Sequence, residues 1–290
     1  MAKRKKPIYK TLWFWQVILG LVVVLGVCIA LLVSLSDGIV APPPTEPEAT
    51  DPPVVTTVPT TVPQETILPE NPYGPLDFVY ENDYLTCTAG EAILGIDVST
   101  WQGRIDWQRV KDAGIEFAMI RVGYRGIKGG ELAEDDWAQA NYAGASAAGV
   151  KVGAYFFSQA ISVEEAREEA GYVLDLVKDW NVEMPIVFDW EFVSDTARTA
   201  RMNPRLLTDC TKAFCEVIED AGYEAMIYFN SDMSQKEMYL EELVDYGFWL
   251  AMYDQVMNYP HRVDMWQYSD SGAVPGISGS VDMNLMFRYE

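Results

Sequence analysis

Histidine and cysteine are scarce in this chain of 290 residues, and basic residues are scarce beyond its first 35 positions. The single histidine, His261, follows Pro260 in a predicted surface loop. One histidine excludes a histidine-ligated metal cluster, and any Ser-His-Asp or Cys-His mechanism would depend on it alone. The four cysteines show no CxxC or metal-ligand spacing, so we expect buried thiols, with one disulfide plus a free thiol as the alternative. Carboxylates remain as the acid–base groups, and we expect no metal and no cofactor.

The few basic residues are unevenly placed along the chain. Residues 1–35 contain five basic residues and no acidic residue, whereas the remainder has 16 basic against 43 acidic residues, a net charge of -27. A surface of this charge repels nucleic acid and anionic lipid. We therefore expect no nucleic-acid partner.

A long apolar segment follows the basic N-terminus. Residues 12–35 carry no charge and are numerous enough to span ~30 Å of hydrocarbon. The basic tail at residues 1–11 predicts a cytoplasmic N-terminus and places everything after the segment outside. We expect a single-pass anchor that makes the membrane a partner of the chain. The alternative is a cleaved signal peptide, which would make the protein secreted.

The next segment, residues 36–80, has the composition of a linker. Eleven prolines lie between Pro42 and Pro75, interleaved with threonine, valine and glutamate, and lysine and arginine are absent. Such a segment is predicted to be an extended spacer of ~3.1 Å per residue. Residues 81–290 are then the folded domain, in which we find no internal repeat.

Strand-like and helix-like segments alternate through the folded domain. The predicted strands are Ile93–Val98, Glu116–Val122, Val150–Phe157, Met184–Trp190, Glu224–Phe229, Phe248–Met252, Val263–Gln267 and Val281–Asn284. The predicted helices are Ile105–Ala113, Asp135–Ala148, Ser162–Asp179, Pro204–Ala221 and Ser234–Asp245. Eight strands and five helices indicate a TIM-like α/β barrel whose last helices are missing. An open doubly wound sheet is the alternative.

Four acidic residues mark the strand ends of this predicted barrel. Side chains alternate along a strand, so Asp189 and Glu191 share one face at the end of the fourth strand. The first predicted strand contains Asp97 and the last contains Asp282. We predict that all four carboxyls lie at the C-terminal ends of strands, where such barrels hold their active sites. Converging carboxylates repel one another, so function explains the arrangement better than folding does.

Glycosidic cleavage is a reaction that such carboxyls can perform. It requires a protonated acid at the leaving oxygen and a second group that stabilises an oxocarbenium-like transition state. We assign Glu191 as the acid because it has the longer reach. The three aspartates are expected to stay largely ionised and to raise its pKa. The spacing alone leaves both inversion and retention open.

Aromatic side chains at or just past the strand ends suit the flat faces of a sugar. We group these aromatic residues with Gln267, which lies between Trp266 and Tyr268. The predicted substrate-binding residues are Trp101, Tyr124, Tyr155, Tyr228, Trp249, Tyr253, Trp266 and Gln267.

Four motifs carry a resemblance to a known family. They are Gly95-Ile-Asp97-Val-Ser-Thr-Trp-Gln102-Gly103, Phe188-Asp189-Trp190-Glu191, Trp266-Gln267-Tyr268 and Val281-Asp282-Met-Asn284. In this order and spacing they resemble glycoside hydrolase family 25, the Chalaropsis-type muramidases, over residues 92–288. The resemblance implies an eight-stranded barrel with five helices. It also implies cleavage of the β-1,4 bond between N-acetylmuramic acid and N-acetylglucosamine in peptidoglycan.

The resemblance also implies roles for the four carboxyls. Glu191 would be the proton donor, and Asp97 and Asp282 would bind and tune it. Asp189 would either polarise the acetamido group of the substrate or act as nucleophile. The leading hypothesis is a membrane-anchored muramidase that acts on the glycan strands of the cell's own wall. A chitinase-like hydrolase and a glycan-binding pseudoenzyme are the alternatives.

Overall fold

The computed structural model of the chain describes residues 67–253 and 256–289. The predicted anchor at residues 12–35 and the greater part of the predicted linker lie outside these ranges. Within the ranges described, no helix combines the length and the apolar character needed to cross a bilayer.

The described residues form eleven strands and five α-helices. The strands are β1 (Phe78–Glu81), β2 (Tyr84–Cys87), β3 (Glu91–Val98), β4 (Phe117–Arg125), β5 (Leu132–Glu134), β6 (Lys151–Ser158), β7 (Ile186–Trp190), β8 (Ala225–Asn230), β9 (Gly247–Ala251), β10 (Met265–Gly272) and β11 (Val281–Arg288). The helices are α1 (Trp107–Asp112), α2 (Ala138–Ala147), α3 (Val163–Val177), α4 (Pro204–Asp220) and α5 (Ser231–Lys236).

Eight of the strands close into a barrel in the order β3-β11-β10-β9-β8-β7-β6-β4, with β4 pairing back onto β3. This confirms the predicted barrel and excludes the open sheet. Seven strands are parallel, but β11 runs antiparallel to both β10 and β3. Only residues 273–280 join β10 to β11. A parallel return needs a crossover of about a dozen residues or more, so this short connection makes a hairpin instead.

The predicted helix Ser234–Asp245 is wrong. The side chain of Asn230 accepts a hydrogen bond from the backbone N–H of Met233 at 3.0 Å and caps α5, which starts earlier and ends at Lys236. A separate 3₁₀ turn follows at Leu240–Glu242. By contrast, Ser162 caps α3 as predicted.

The cysteines of the described chain are free thiols. Cys210 and Cys215 are buried in α4, and burial raises the pKa of both, that of Cys210 to about 12. Cys87 is half-buried on β2. Because a thiol of raised pKa is a poor nucleophile, the two helical cysteines have a packing role.

The barrel interior changes character from its base to its mouth. Near the base it is filled by an apolar cluster that includes Phe117, Val187 and Met265. Toward the mouth the inward positions of the same period-two pattern become polar, as at Asp97 and Asp189. The apolar base therefore supports a polar upper layer.

A hairpin of β1 and β2 covers the outer face of β10 and β11, where the described chain has no helix. The ring of Phe78 meets Trp266 edge-on at 5.1 Å, and Tyr73 lies 5.0 Å from Phe287. The predicted boundary between residues 80 and 81 falls inside β1, because residues 67–80 pack here. The proline content of this segment matches a linker, but Phe78 is buried and Tyr73 is partly buried against the barrel.

We expect Phe78→Ala to destabilise the domain by about 3 kcal/mol, since it removes a buried ring from this aromatic cluster. Leu76→Ala is the control, because Leu76 is 91% exposed two residues away, and its effect should stay within about 0.5 kcal/mol. Chemical denaturation of both variants gives the two free energies of unfolding. Equal values would contradict the covering role of the hairpin.

Candidate active site

Strand direction brings the four predicted carboxyls to one end of the barrel. Asp189 is the second-last residue of β7, and Glu191 follows its end. Asp97, near the end of β3, is paired in register with Asp282, the second residue of β11. The prediction that Asp282 lies at the C-terminal end of a strand is wrong. Because β11 is reversed, its start reaches the same mouth.

A cleft of about 720 Å³ lies over this mouth and contains all four carboxyls. Its lining also includes most of the predicted substrate-binding residues, namely Trp101, Tyr124, Tyr155, Tyr228, Trp249, Tyr253 and Gln267. Trp266 is the exception and the prediction for it is wrong. It is fully buried on the outer face of β10 and donates its indole N–H to the carbonyl of Met252 at 2.8 Å. Alternation along β10 turns Gln267 inward and its neighbour outward.

Two amides hold Asp97 in place. Gln267 Nε2 and Asn284 Nδ2 each donate to Asp97 Oδ2 at 2.8 Å. The oxygen of Gln267 in turn accepts from the hydroxyls of Tyr228 and Tyr253, at 3.0 and 2.9 Å. This chain of hydrogen bonds fixes the orientation of both rings at the cleft. Asn284 was missed, although it lies two residues after Asp282 and therefore faces the same side.

A second polar group at the cleft was also missed. Asp135 Oδ2 accepts from Arg121 Nε at 2.9 Å and from the backbone N–H of Thr100 at 3.0 Å. The latter contact anchors the 3₁₀ turn that carries Trp101, which is 81% exposed at the cleft. The turn ends at Gly103, whose φ of 59° favours glycine. Arg121 could have been identified from the alternation of side chains along β4, which places it on the inner face of the barrel.

Asp97 and Asp282 are paired in register, and each affects the pKa of the other. Burial raises the pKa of Asp97, while the amides of Asn284 and Gln267 oppose that rise by stabilising the carboxylate. Burial and the neighbouring Asp97 raise the pKa of Asp282 to about 8. A proton on Asp282 is therefore favoured near neutral pH, and the two amides favour the ionised form of Asp97.

Asp189 and Glu191 form the second pair. Burial, and then the charges of Glu191 and Asp97, raise the pKa of Asp189 well above its ordinary value, which Arg121 partly opposes. Burial and then Asp282 raise the pKa of Glu191. The prediction that all three aspartates stay ionised is wrong, because burial in the mouth outweighs the few donors there. Asp189 Oδ1 is also buried, with no hydrogen-bond partner among the residues that the structure describes.

The backbone at Glu191 is held by a buried glutamine. Gln159, which is fully buried after β6, donates to the carbonyl of Glu191 at 3.3 Å and accepts from the hydroxyl of Thr199 at 2.9 Å. The backbone carbonyl of Gln159 accepts a hydrogen bond from Arg198. The same guanidinium donates to the carboxylate of Glu165 at 2.7 and 2.8 Å. The loop after β7 is thus tied to β6 and to the start of α3.

The barrel, its buried carboxyls of raised pKa and its aromatic cleft together define a glycoside hydrolase. Residues 96–277 match the model of Glycosyl hydrolases family 25. The chain belongs to this family.

Similar proteins cover the same region. The chain is 30% identical over 210 residues to the protein YegX of Escherichia coli K12, covering 68% of this chain and 70% of YegX. It is 30% identical over 207 residues to lysozyme M1 of Streptomyces globisporus, covering 66% and 67%. The structure of the modular autolysin LytC from Streptococcus pneumoniae shares the fold, with 23% identity, a TM-score of 0.62 and 72% of this chain covered. The chain spans about half of that autolysin, 52%.

We expect Gln159→Leu to lower kcat about tenfold or more with little change in KM, because it frees the backbone of Glu191 without touching the cleft. Gln108→Leu, on the exposed side of α1, is the matched control and should leave kcat unchanged. Steady-state kinetics on both variants, with thermal unfolding as a check of folding, give the comparison. An unchanged kcat in the folded Gln159→Leu variant would show that the contact does not position Glu191.

Proposed function

We propose that the chain cleaves the β-1,4 bond between N-acetylmuramic acid and N-acetylglucosamine in peptidoglycan, with Glu191 as the proton donor. The observation that carries the proposal is the cluster of four carboxyls at one cleft, of which Asp97 and Asp189 are buried and Glu191 and Asp282 are half-buried. Burial raises the pKa of all four carboxyls, which favours a protonated carboxyl at a higher pH than usual. A protonated carboxyl at the scissile bond is the requirement of glycosidic cleavage.

Position, rather than pKa, favours Glu191 over Asp189 as the acid. Glu191 is half-buried at the edge of the cleft, whereas Asp189 is only 6% exposed on the wall inside it. A substrate N–H donated to Asp189 would favour the ionised form of that carboxyl. The proton of the pair would then remain on Glu191, next to the leaving oxygen.

The unpartnered oxygen of Asp189 supports an interaction with the acetamido group of the substrate. A buried acceptor without a donor is costly, so a ligand that supplies one gains affinity there. The acetamido N–H of an N-acetylated sugar is such a donor. We therefore propose that Asp189 orients the acetamido group, in preference to attacking the sugar directly.

The names of similar proteins support the choice of peptidoglycan. Lysozyme M1 and the autolytic lysozyme of Clostridium acetobutylicum are relatives in sequence. The autolysin LytC, which shares the fold, has been solved in complex with a synthetic peptidoglycan ligand. We extend that substrate class to this chain.

The pH dependence of the reaction follows from the raised pKa values. Because the protonated acid is the active form, we expect kcat/KM to fall as the pH rises through the shifted pKa of the Asp189–Glu191 pair. Burial moves this alkaline limb above the ordinary range for a carboxyl. A pH–rate profile on soluble glycan fragments locates it. A flat profile into strongly alkaline solution would contradict a carboxylic acid donor.

Analysis of the product ends tests the cleaved bond. The full chain is incubated with purified peptidoglycan, the products are reduced with borohydride, and their ends are identified by mass spectrometry. Reduced muramic acid ends are expected. Reduced glucosamine ends would contradict the muramidase and favour a glucosaminidase. No new ends, with the folded protein retained on the glycan, would favour a glycan-binding pseudoenzyme.

We also propose that residues 12–35 anchor the chain and that the linker holds the barrel at the cell wall. The support is the uncharged apolar segment after a basic tail, followed by the proline-rich stretch. Protease treatment of cells whose wall has been removed and whose membrane is intact tests this placement. Digestion of a membrane-bound barrel is expected, and a protected barrel would contradict it.

A further inference from the structure

A second cleft adjoins the first on the far side of Glu191. It has a volume of about 770 Å³ and shares only Glu191, Tyr228 and Tyr253 with the first cleft. Its other walls come from Phe192 and from residues 230–237 around α5. The two clefts meet at these three residues, so Glu191 lies at the crossing from one cleft to the other.

The carboxyls are divided unequally between the clefts. Asp97, Asp189 and Asp282 line the first cleft only. Positive charge develops on the sugar ring whose anomeric bond breaks, and these groups stabilise it. That ring must therefore lie in the first cleft. The oxygen that Glu191 protonates belongs to the next sugar, which must lie on the other side of the crossing.

We propose that the second cleft is the binding site for the amino sugars on the leaving-group side of the scissile bond, the side toward the reducing end of the glycan. This inference rests on the proposed function and adds the direction of the strand. The part of the glycan strand on the non-reducing side of the scissile bond then lies at Trp101 and Tyr124. The part on the reducing side lies against Phe192.

The walls of the second cleft have the chemistry that such a ligand needs. Phe192 is 57% exposed and Tyr253 is 52% exposed, so both offer flat apolar faces. Asn230 and Ser231 supply polar groups, and Asp232 is paired with Lys236 at 3.0 Å, which balances one negative charge. A sugar ring with apolar faces and hydroxyl edges fits walls of this kind.

Two substrates with different leaving groups test the assignment. One is a peptidoglycan tetrasaccharide that is cleaved at its centre, so that a disaccharide leaves. The other is the same non-reducing disaccharide linked to p-nitrophenol. With this substrate no sugar occupies the second cleft. For Phe192→Ala in the full chain, we expect the ratio of kcat/KM values, tetrasaccharide over aryl glycoside, to fall about fivefold to tenfold.

Two further variants control the comparison. Tyr80→Ala removes an aromatic ring of 54% exposure from β1, outside both clefts, and should leave the ratio unchanged. Phe192→Tyr keeps a flat ring and should restore most of it. An unaltered ratio in Phe192→Ala would overturn the assignment of the second cleft. Cleavage of neither substrate by the unaltered chain would instead overturn the proposed function.

Discussion

Glu191→Gln should lower kcat on peptidoglycan by about 10²–10⁴-fold, the range expected when a general acid is removed. The amide has nearly the same shape but cannot supply a proton to the leaving oxygen. Its carbonyl contact with Gln159 involves the backbone and is retained. Fold and glycan affinity should therefore be preserved. Turnover of peptidoglycan and retention on the insoluble polymer are the two measurements.

Glu183→Gln provides the matched control for this substitution. Glu183 is exposed before the other end of β7, so the same change of charge occurs far from the mouth. We expect its kcat to equal that of the unaltered chain. Substantial activity of Glu191→Gln against such a control would remove Glu191 from the role of acid and direct attention to Asp189.

Asp189→Asn should lower kcat on the order of 10²-fold or more, because a preorganised charge beside the reacting ring is lost. The structure gives a reason beyond charge. The carboxylate offers only acceptors, whereas the amide offers one acceptor and one NH2 donor, so only one of its two orientations can accept the acetamido N–H. If Asp189 acts through the acetamido group, the loss should be greatest on fully N-acetylated glycan. Kinetics on N-acetylated and de-N-acetylated strands measure this difference.

Asp179→Asn, an exposed substitution just after α3, serves as the control and should behave as the unaltered chain on both strands. An equal loss for Asp189→Asn on the two kinds of strand would contradict the acetamido contact and favour direct attack by Asp189. Trapping of a covalent glycosyl-enzyme with a fluorinated sugar would then identify the nucleophile.

The barrel could be predicted because its signals are local. Eight short apolar runs separated by helical segments indicate a closed sheet, and the period of two places Asp189 and Glu191 on one face. Reversal of β11 is not visible in this way, since strand direction depends on pairing. Asp282 was therefore predicted at the correct end of the barrel, but from a wrong strand direction.

Trp266 and the protonation of the aspartates depend on packing between distant segments. Trp266 faces outward beneath a hairpin that directly follows a proline-rich segment, and that segment resembled a spacer. Burial raises the pKa values of Asp189 and Asp282 because the mouth is deeper than a strand end in water, and depth of burial cannot be obtained from spacing. By contrast, Asn284 could have been found by applying the period of two to β11.

The acid role of Glu191 is tested most directly by the dependence on the leaving group. The dinitrophenolate of a dinitrophenyl glycoside leaves without protonation, whereas a sugar leaving group must be protonated. Glu191→Gln should therefore lose activity on the tetrasaccharide yet retain most of it on the dinitrophenyl glycoside of the same disaccharide. An equal loss on both substrates in a folded variant would show that Glu191 does not donate the proton.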